Sequence, residues 1–150
     1  MPAPLLRSAV VADTPSLLGM MQRFYAIDNY PFDKEKKERA IRQLLAEPLF
    51  GEIWLLEDQG QPMGYLVVTT GFSLEYNGKD GWVDELFLEE AFRGRGLGKM
   101  LLRHAIGRAE ALGINFLHLQ VERHNRAGRR LYEKEGFEGN GRDMLSRAIL

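Results

Sequence analysis

The sequence predicts a mixed α+β (α/β) fold, a mostly antiparallel sheet with helices packed against it. Three observations carry this reading. Early strand-like runs joined by short turns are followed by alternating strand and helix patterns. At 150 residues, 45% of them apolar, the chain can bury a core without disulfide or metal staples. No repeat, low-complexity tract or Pro/Gly/Ser linker divides it, so residues 1–150 read as one domain.

Leu5–Val11 reads as a first strand. Asp13 and Thr14 are helix-capping types and Pro15 suits a first turn, which opens a helix to about Tyr25. The aromatic, turn-rich stretch Ile27–Phe32 comes next, and Asp33 then caps a second helix through Ala46, before Pro48. Glu52–Glu57 and Met63–Phe72 are strands around an Asp58–Pro62 turn, and Gly81–Leu88 is a fourth after the Asn77-Gly78 signal. A helix from about Gly96 to Leu112 aligns Leu97, Met100, Leu101, Ala105 and Ala109 on one face. Phe116–Val121 is a strand, Arg126–Glu135 a helix and Met144–Ile149 a last strand.

Composition removes several function classes. With 20 basic and 21 acidic residues the net charge is -1, which disfavours a nucleic-acid binder acting through overall charge. Zero cysteines exclude disulfides, thiolate metal sites and cysteine nucleophiles. His104, His118 and His124 show no metal-like spacing with carboxylates, so no metal is expected, and His118 reads as a structural strand residue. Met1–Val11 lacks a leader pattern and no run nears the ~18 apolar residues of a membrane span, so the expectation is a cytoplasmic protein. Charge is nonetheless segregated: residues 31–90 sum to -7 and residues 91–130 to +7. That split points to two surfaces with different electrostatic partners.

The most informative stretch is Arg93-Gly94-Arg95-Gly96-Leu97-Gly98-Lys99, between a strand and an amphipathic helix. A helix start presents unpaired N–H groups, glycines let a ligand approach the backbone, and the cations add charge-assisted bonds to phosphate. A Walker loop fails here, because Arg93 stands where it needs glycine and Met100 where it needs Ser or Thr. A dinucleotide fingerprint fails too, because Lys99 or Leu101 occupies its third small position.

Arg93, Gly96 and Gly98 match the acyl-CoA-binding pattern of the GNAT superfamily of N-acetyltransferases, which this segment resembles. Leu86-Phe87-Leu88 resembles that family's fourth strand, and Asn125, Leu131, Tyr132, Gly136 and Phe137 resemble its second motif. Gly128 departs from it, standing where the family has alanine. The resemblance covers about residues 82–137 and implies a six- or seven-stranded sheet with about four helices, splayed between strands 4 and 5. It also implies acetyl-CoA as cosubstrate.

By that resemblance, Phe87, Leu88, Arg93, Gly94, Arg95, Gly96, Leu97, Gly98, Lys99 and Asn125 would bind the coenzyme, a backbone N–H near Leu88 holding the acetyl carbonyl. Tyr132 is the expected general acid for the thiolate. Asp84 and Glu85 are the carboxylates available to manage the amine; strand alternation admits only one of them to the cleft, and Glu85 is preferred as base, directly or through water. The family's acceptor side maps onto Tyr25, Tyr30, Phe32, Glu75, Tyr76 and Trp82, with Asp84 beside the reacting amine. Most of these lie in the acidic segment, which favours a cationic amine. The expected function is acetyl transfer to a small-molecule amine, without nucleic acid or membrane, in a family that often forms homodimers. Acetylation of a protein lysine or N-terminus, and a non-catalytic coenzyme A sensor, are the alternatives.

Overall fold

The computed structural model describes residues 3–150, in two compact units that meet in sequence at Gln120 and Val121. Met1 and Pro2, the head of the stretch read as lacking a leader, lie outside the described residues. The first unit contains β1 (Leu5–Ser8), α1 (Thr14–Ile27), α2 (Lys34–Ala46), β2 (Gly51–Asp58), β3 (Gln61–Ser73), β4 (Gly78–Leu88), α3 (Leu97–Ala111) and β5 (Phe116–His118). The second contains α4 (Arg126–Lys134) and a C-terminal stretch without regular structure.

The strands lie in the order β1-β2-β3-β4-β5, antiparallel through β4 and parallel between β4 and β5. The expected class holds. The strand count is five among the described residues, rather than six or seven. Met144–Ile149, read as the last strand, is exposed throughout and joins no ladder. Apolar patterning makes a segment compatible with a strand, but pairing in a ladder makes it one.

Local chemistry explains the helix starts. The Asp33 carboxylate accepts the Lys36 N–H at 3.1 Å and caps α2 where expected. Asp13 does not cap α1; its carboxylate takes two 2.8 Å bonds from Arg7 and one of 2.7 Å from the Val10 N–H. Arg7 also reaches Glu57, so one guanidinium ties β1 to β2 and to the approach to α1.

The sheet buries both faces. Ile53, Leu55, Tyr65, Val67 and Phe87 pack with Leu17, Leu18, Met20 and Met21 of α1 and Ile41 of α2. By strand alternation, Leu56, Leu66 and Val68 point to the opposite face, where α3 brings buried Leu101, Leu102, Ala105 and Ala109.

Two irregularities of β4 shape the carboxylate and coenzyme ends of the sheet. Val67 pairs with Glu85 and Val68 with Val83, which leaves Asp84 as an extra, unpaired residue in a β-bulge. β5 pairs with β4 only from Asp80 to Trp82, so the edge of β4 from Val83 to Leu88 has no ladder partner on that side. The expected strand through Val121 stops at His118, and the parallel ladder ends there.

Candidate active site

The loop from β4 to α3 is built to keep backbone N–H groups open. Gly94 and Gly96 both hold φ of 78°, the left-handed region that costs an L side chain roughly 1–2 kcal/mol. A Cβ at either would meet nothing within 4 Å, so glycine serves the backbone conformation there rather than space. Gly96 precedes α3 without a side-chain capping bond, which leaves the first amides of Leu97, Gly98 and Lys99 without intrahelical partners. Arg93 folds the loop back: its Nε donates to the Leu88 carbonyl at 3.0 Å and its guanidinium lies 5.7 Å from the Phe87 ring centre. Arg95 and Lys99 are exposed. Gly96→Ala is expected to destabilise the protein by about 1 kcal/mol, read as a lower urea midpoint with unchanged slope.

The carboxylates at the bulge differ sharply in surroundings. Glu85 Oε2 accepts the Tyr25 hydroxyl at 2.5 Å and Oε1 accepts the Tyr65 hydroxyl at 2.6 Å. Lys37 Nζ donates to the Tyr25 oxygen at 2.8 Å and lies 4.5 Å from the centre of its ring. One carboxylate thereby joins α1, α2, β3 and β4. Burial pushes the Glu85 carboxyl above its ordinary range, against the opposing pull of both tyrosines and of Lys37. Burial and the Glu85 charge push both phenols far upward, so they remain donors.

Asp84 is exposed. Two residues after Trp82, which pairs with Thr69, it lies on the same side of the sheet as Glu85, and its charge raises Tyr25, Tyr65 and Glu85 while Lys37 draws its own carboxyl down. Simple alternation admitted only one of the two carboxylates to this side. The bulge corrects that, because the extra residue resets the alternation and presents both.

The acceptor-side aromatics have different surroundings. Tyr30 is exposed in the turn after α1, its N–H bonded to the Tyr25 carbonyl at 2.9 Å. Phe32 packs edge-on to Tyr25 at 5.8 Å and against the α1–α2 core. It also lines a cavity of about 560 Å³ between those helices, with Thr14, Gln22, Lys34, Glu38 and Arg42. Neither carboxylate nor any loop glycine lines that cavity. Tyr65 and Lys37 were missing from the sequence reading, although a tyrosine within the apolar run Met63–Val68 signals a hydroxyl that needs a buried partner.

In the second unit, Asn125 caps α4, its Oδ1 accepting the Gly128 N–H at 3.0 Å. A Cβ at position 128 would lie 2.5 Å from Asn125 Nδ2, so glycine gives the capping side chain its room. Gly128→Ala is therefore expected to bring no thermal stabilisation, the helix-propensity gain of about 1 kcal/mol being offset by a weakened cap. Burial raises the Tyr132 phenol, and its ring meets Phe137 edge-on at 6.4 Å. Among the described residues, no helix is long and apolar enough to cross a membrane.

The chain matches the sequence profile of the acetyltransferase (GNAT) family over residues 18–137. It is 25% identical over 135 residues to the uncharacterized N-acetyltransferase MJ1207 of Methanocaldococcus jannaschii, covering 89% of this chain and 60% of that protein. It is 30% identical over 86 residues to the spermine/spermidine N(1)-acetyltransferase of Bacillus subtilis, covering 55% of this chain and 57% of that one. The matches thus span less than two-thirds of these curated relatives. Among solved structures, an integron cassette protein from the mobile metagenome of Cole Harbour Salt Marsh superposes with a TM-score of 0.86 at 33% identity, covering 97% of this chain and 90% of that one.

Proposed function

Because the chain belongs to the acetyltransferase (GNAT) family, we propose that it is an acetyl-CoA-dependent N-acetyltransferase acting on the primary amine of a small, cationic molecule. The observation that carries this reading lies within the first unit. An open-amide helix start follows the unpaired stretch of β4, and that stretch begins at two carboxylates presented by a bulge.

The residues present suit the coenzyme. Arg95, Lys99 and the amides from Gly94 to Gly98 would hold its pyrophosphate, with Arg93 keeping the loop folded on Leu88. The backbone of Phe87 and Leu88 would hold the acyl end, and Asn125, whose Oδ1 serves the helix cap, offers its amide N–H₂ to the pantetheine arm. Bound acetyl-CoA supplies an acetyl group activated as a thioester.

Asp84, open to solvent, holds the incoming ammonium. Glu85 takes the proton that the ammonium must lose, and burial gives it a higher proton affinity than an exposed glutamate has. The new C–N bond forms as the C–S bond breaks, Tyr132 gives its proton to the departing sulfur, and the second proton that the acylated nitrogen sheds returns through solvent to the Tyr132 phenolate. The chain has no cysteine, so transfer is direct rather than through an acetyl-cysteine. Tyr30 and Phe32 belong to the acceptor side. An acceptor that is cationic fits the charge of -7 over residues 31–90 and the polyamine named for the B. subtilis relative. The cysteine-free composition fits action in the cytoplasm.

Thiol release from acetyl-CoA across an amine panel tests the reading, with no thiol background from the protein. Release with cationic amines is expected. Release confined to neutral or anionic amines, or coenzyme binding without turnover on any amine, would overturn it.

A further inference from the structure

Lys37, Tyr25 and Tyr65 take no part in the transfer as proposed, yet all three converge on its base. Lys37 is half-buried in the first turn of α2. Its Nζ donates to the Tyr25 oxygen at 2.8 Å and lies 4.5 Å from the centre of that ring. An ammonium group has protons to give and no lone pair, so this contact runs one way only. The Tyr25 oxygen therefore accepts from Lys37, and its single proton goes to Glu85 Oε2 at 2.5 Å. Tyr65, wedged between the rings of Phe24 and Phe87, gives its proton to Oε1 at 2.6 Å. Both carboxylate oxygens are thus fixed by phenols, and one of those phenols is aimed by a lysine.

Charge on this side of the sheet follows the same lines. The bulge sets Asp84 next to Glu85, and neighbouring carboxylates oppose each other's ionisation. The groups that act on Glu85 are Tyr25 from α1, Lys37 from α2, Tyr65 from β3 and Asp84 from β4. Lys37 is the cation among them, and it draws both carboxyls down.

We infer that Lys37 is a positioning residue for the proposed acetyl transfer: it turns the Tyr25 hydroxyl onto Glu85 and holds the Asp84–Glu85 pair ionised until an ammonium group arrives. The inference rests on the reading of Glu85 as the base. Two effects of the lysine oppose one another. It keeps the base free of a proton, and its charge repels the incoming ammonium. Lys37 therefore favours turnover and weakens amine binding.

Lys37→Met keeps the length of the side chain and removes its charge. The acid limb of kcat/KM is expected to move up by about one pH unit, a tenfold rise in proton affinity. Above that limb, KM for a cationic amine should fall. Lys37→Arg, again a cation that only donates, should bring the limb back towards the wild type. In a Tyr25→Phe background Lys37→Met should move the limb less, because part of its action passes through the lost hydroxyl. Carbon-13 NMR titration of the Glu85 carboxyl, assigned by its loss in Glu85→Gln, reads the same shift without turnover. Circular dichroism reports the fold of each variant. A Glu85 titration unmoved by Lys37→Met, or moved equally with and without the Tyr25 hydroxyl, would overturn the inference. A titration that moves in a protein that acetylates no amine sinks the acetyltransferase reading and leaves Lys37 its hold on Glu85.

Discussion

Glu85→Gln is expected to lower kcat by about 100-fold or more while coenzyme A affinity stays within about twofold, the range for loss of a positioned general base. Glutamine preserves the shape between Tyr25 and Tyr65, and a phenolic oxygen can accept from its amide, so the network of α1, α2, β3 and β4 is retained. What it removes is the proton acceptor. The acid limb of kcat/KM in the wild type should lie above the ordinary glutamate value of ~4.3, because burial raises this carboxyl. Stability offers an independent reading. The native protein takes up the Glu85 proton at higher pH than the unfolded chain does, so its stability relative to Glu85→Gln falls as pH rises from the unfolded value through the raised native one. Denaturant titrations at pH points spanning that window check the sign. Full activity in Glu85→Gln would remove Glu85 as the base.

Tyr132→Phe is expected to cut turnover by about 100-fold with the KM for acetyl-CoA little changed. A phenol of pKa ~10 is already a weaker acid than a thiol of ~8.5, and burial pushes Tyr132 further up. It therefore stays protonated throughout the neutral range and donates only once sulfur has become strongly basic. Phenylalanine keeps the ring contact with Phe137, so a purely structural tyrosine would show a normal kcat in this variant. That outcome would favour a sensor or a water-mediated donor. Loss of turnover with intact coenzyme binding favours the acid.

Signals confined to a few neighbouring residues were legible directly. Asp33 three residues before Lys36 marks the α2 start, and the helix runs as expected to Ala46. The glycines at 94 and 96 mark a backbone that only glycine adopts cheaply, and both are left-handed. The acyl-CoA pattern and the second motif led to the family that residues 18–137 match. Asp13 shows where such reading stops. Its type suits a cap, but Arg7 competes for the carboxylate and wins with two charge-assisted bonds.

Strands 4 and 5 show the rest of that boundary. Residue order alone carries the composition of the proposed site: the loop chemistry, the paired acids, the tyrosine of the second motif and the segregation of charge. Which acids share a face was settled by pairing with β3, since one unpaired residue at Asp84 reverses the alternation that a linear reading assumes. The same holds for the tyrosine clamp on Glu85, where partners 60 and 20 residues away meet one carboxylate, and for the early end of β5, where a ladder stops at Trp82. Helix caps and glycine turns are local energies and can be read locally. Register, desolvation and the extent of a ladder depend on groups distant in sequence, and they take their values only when the chain has folded.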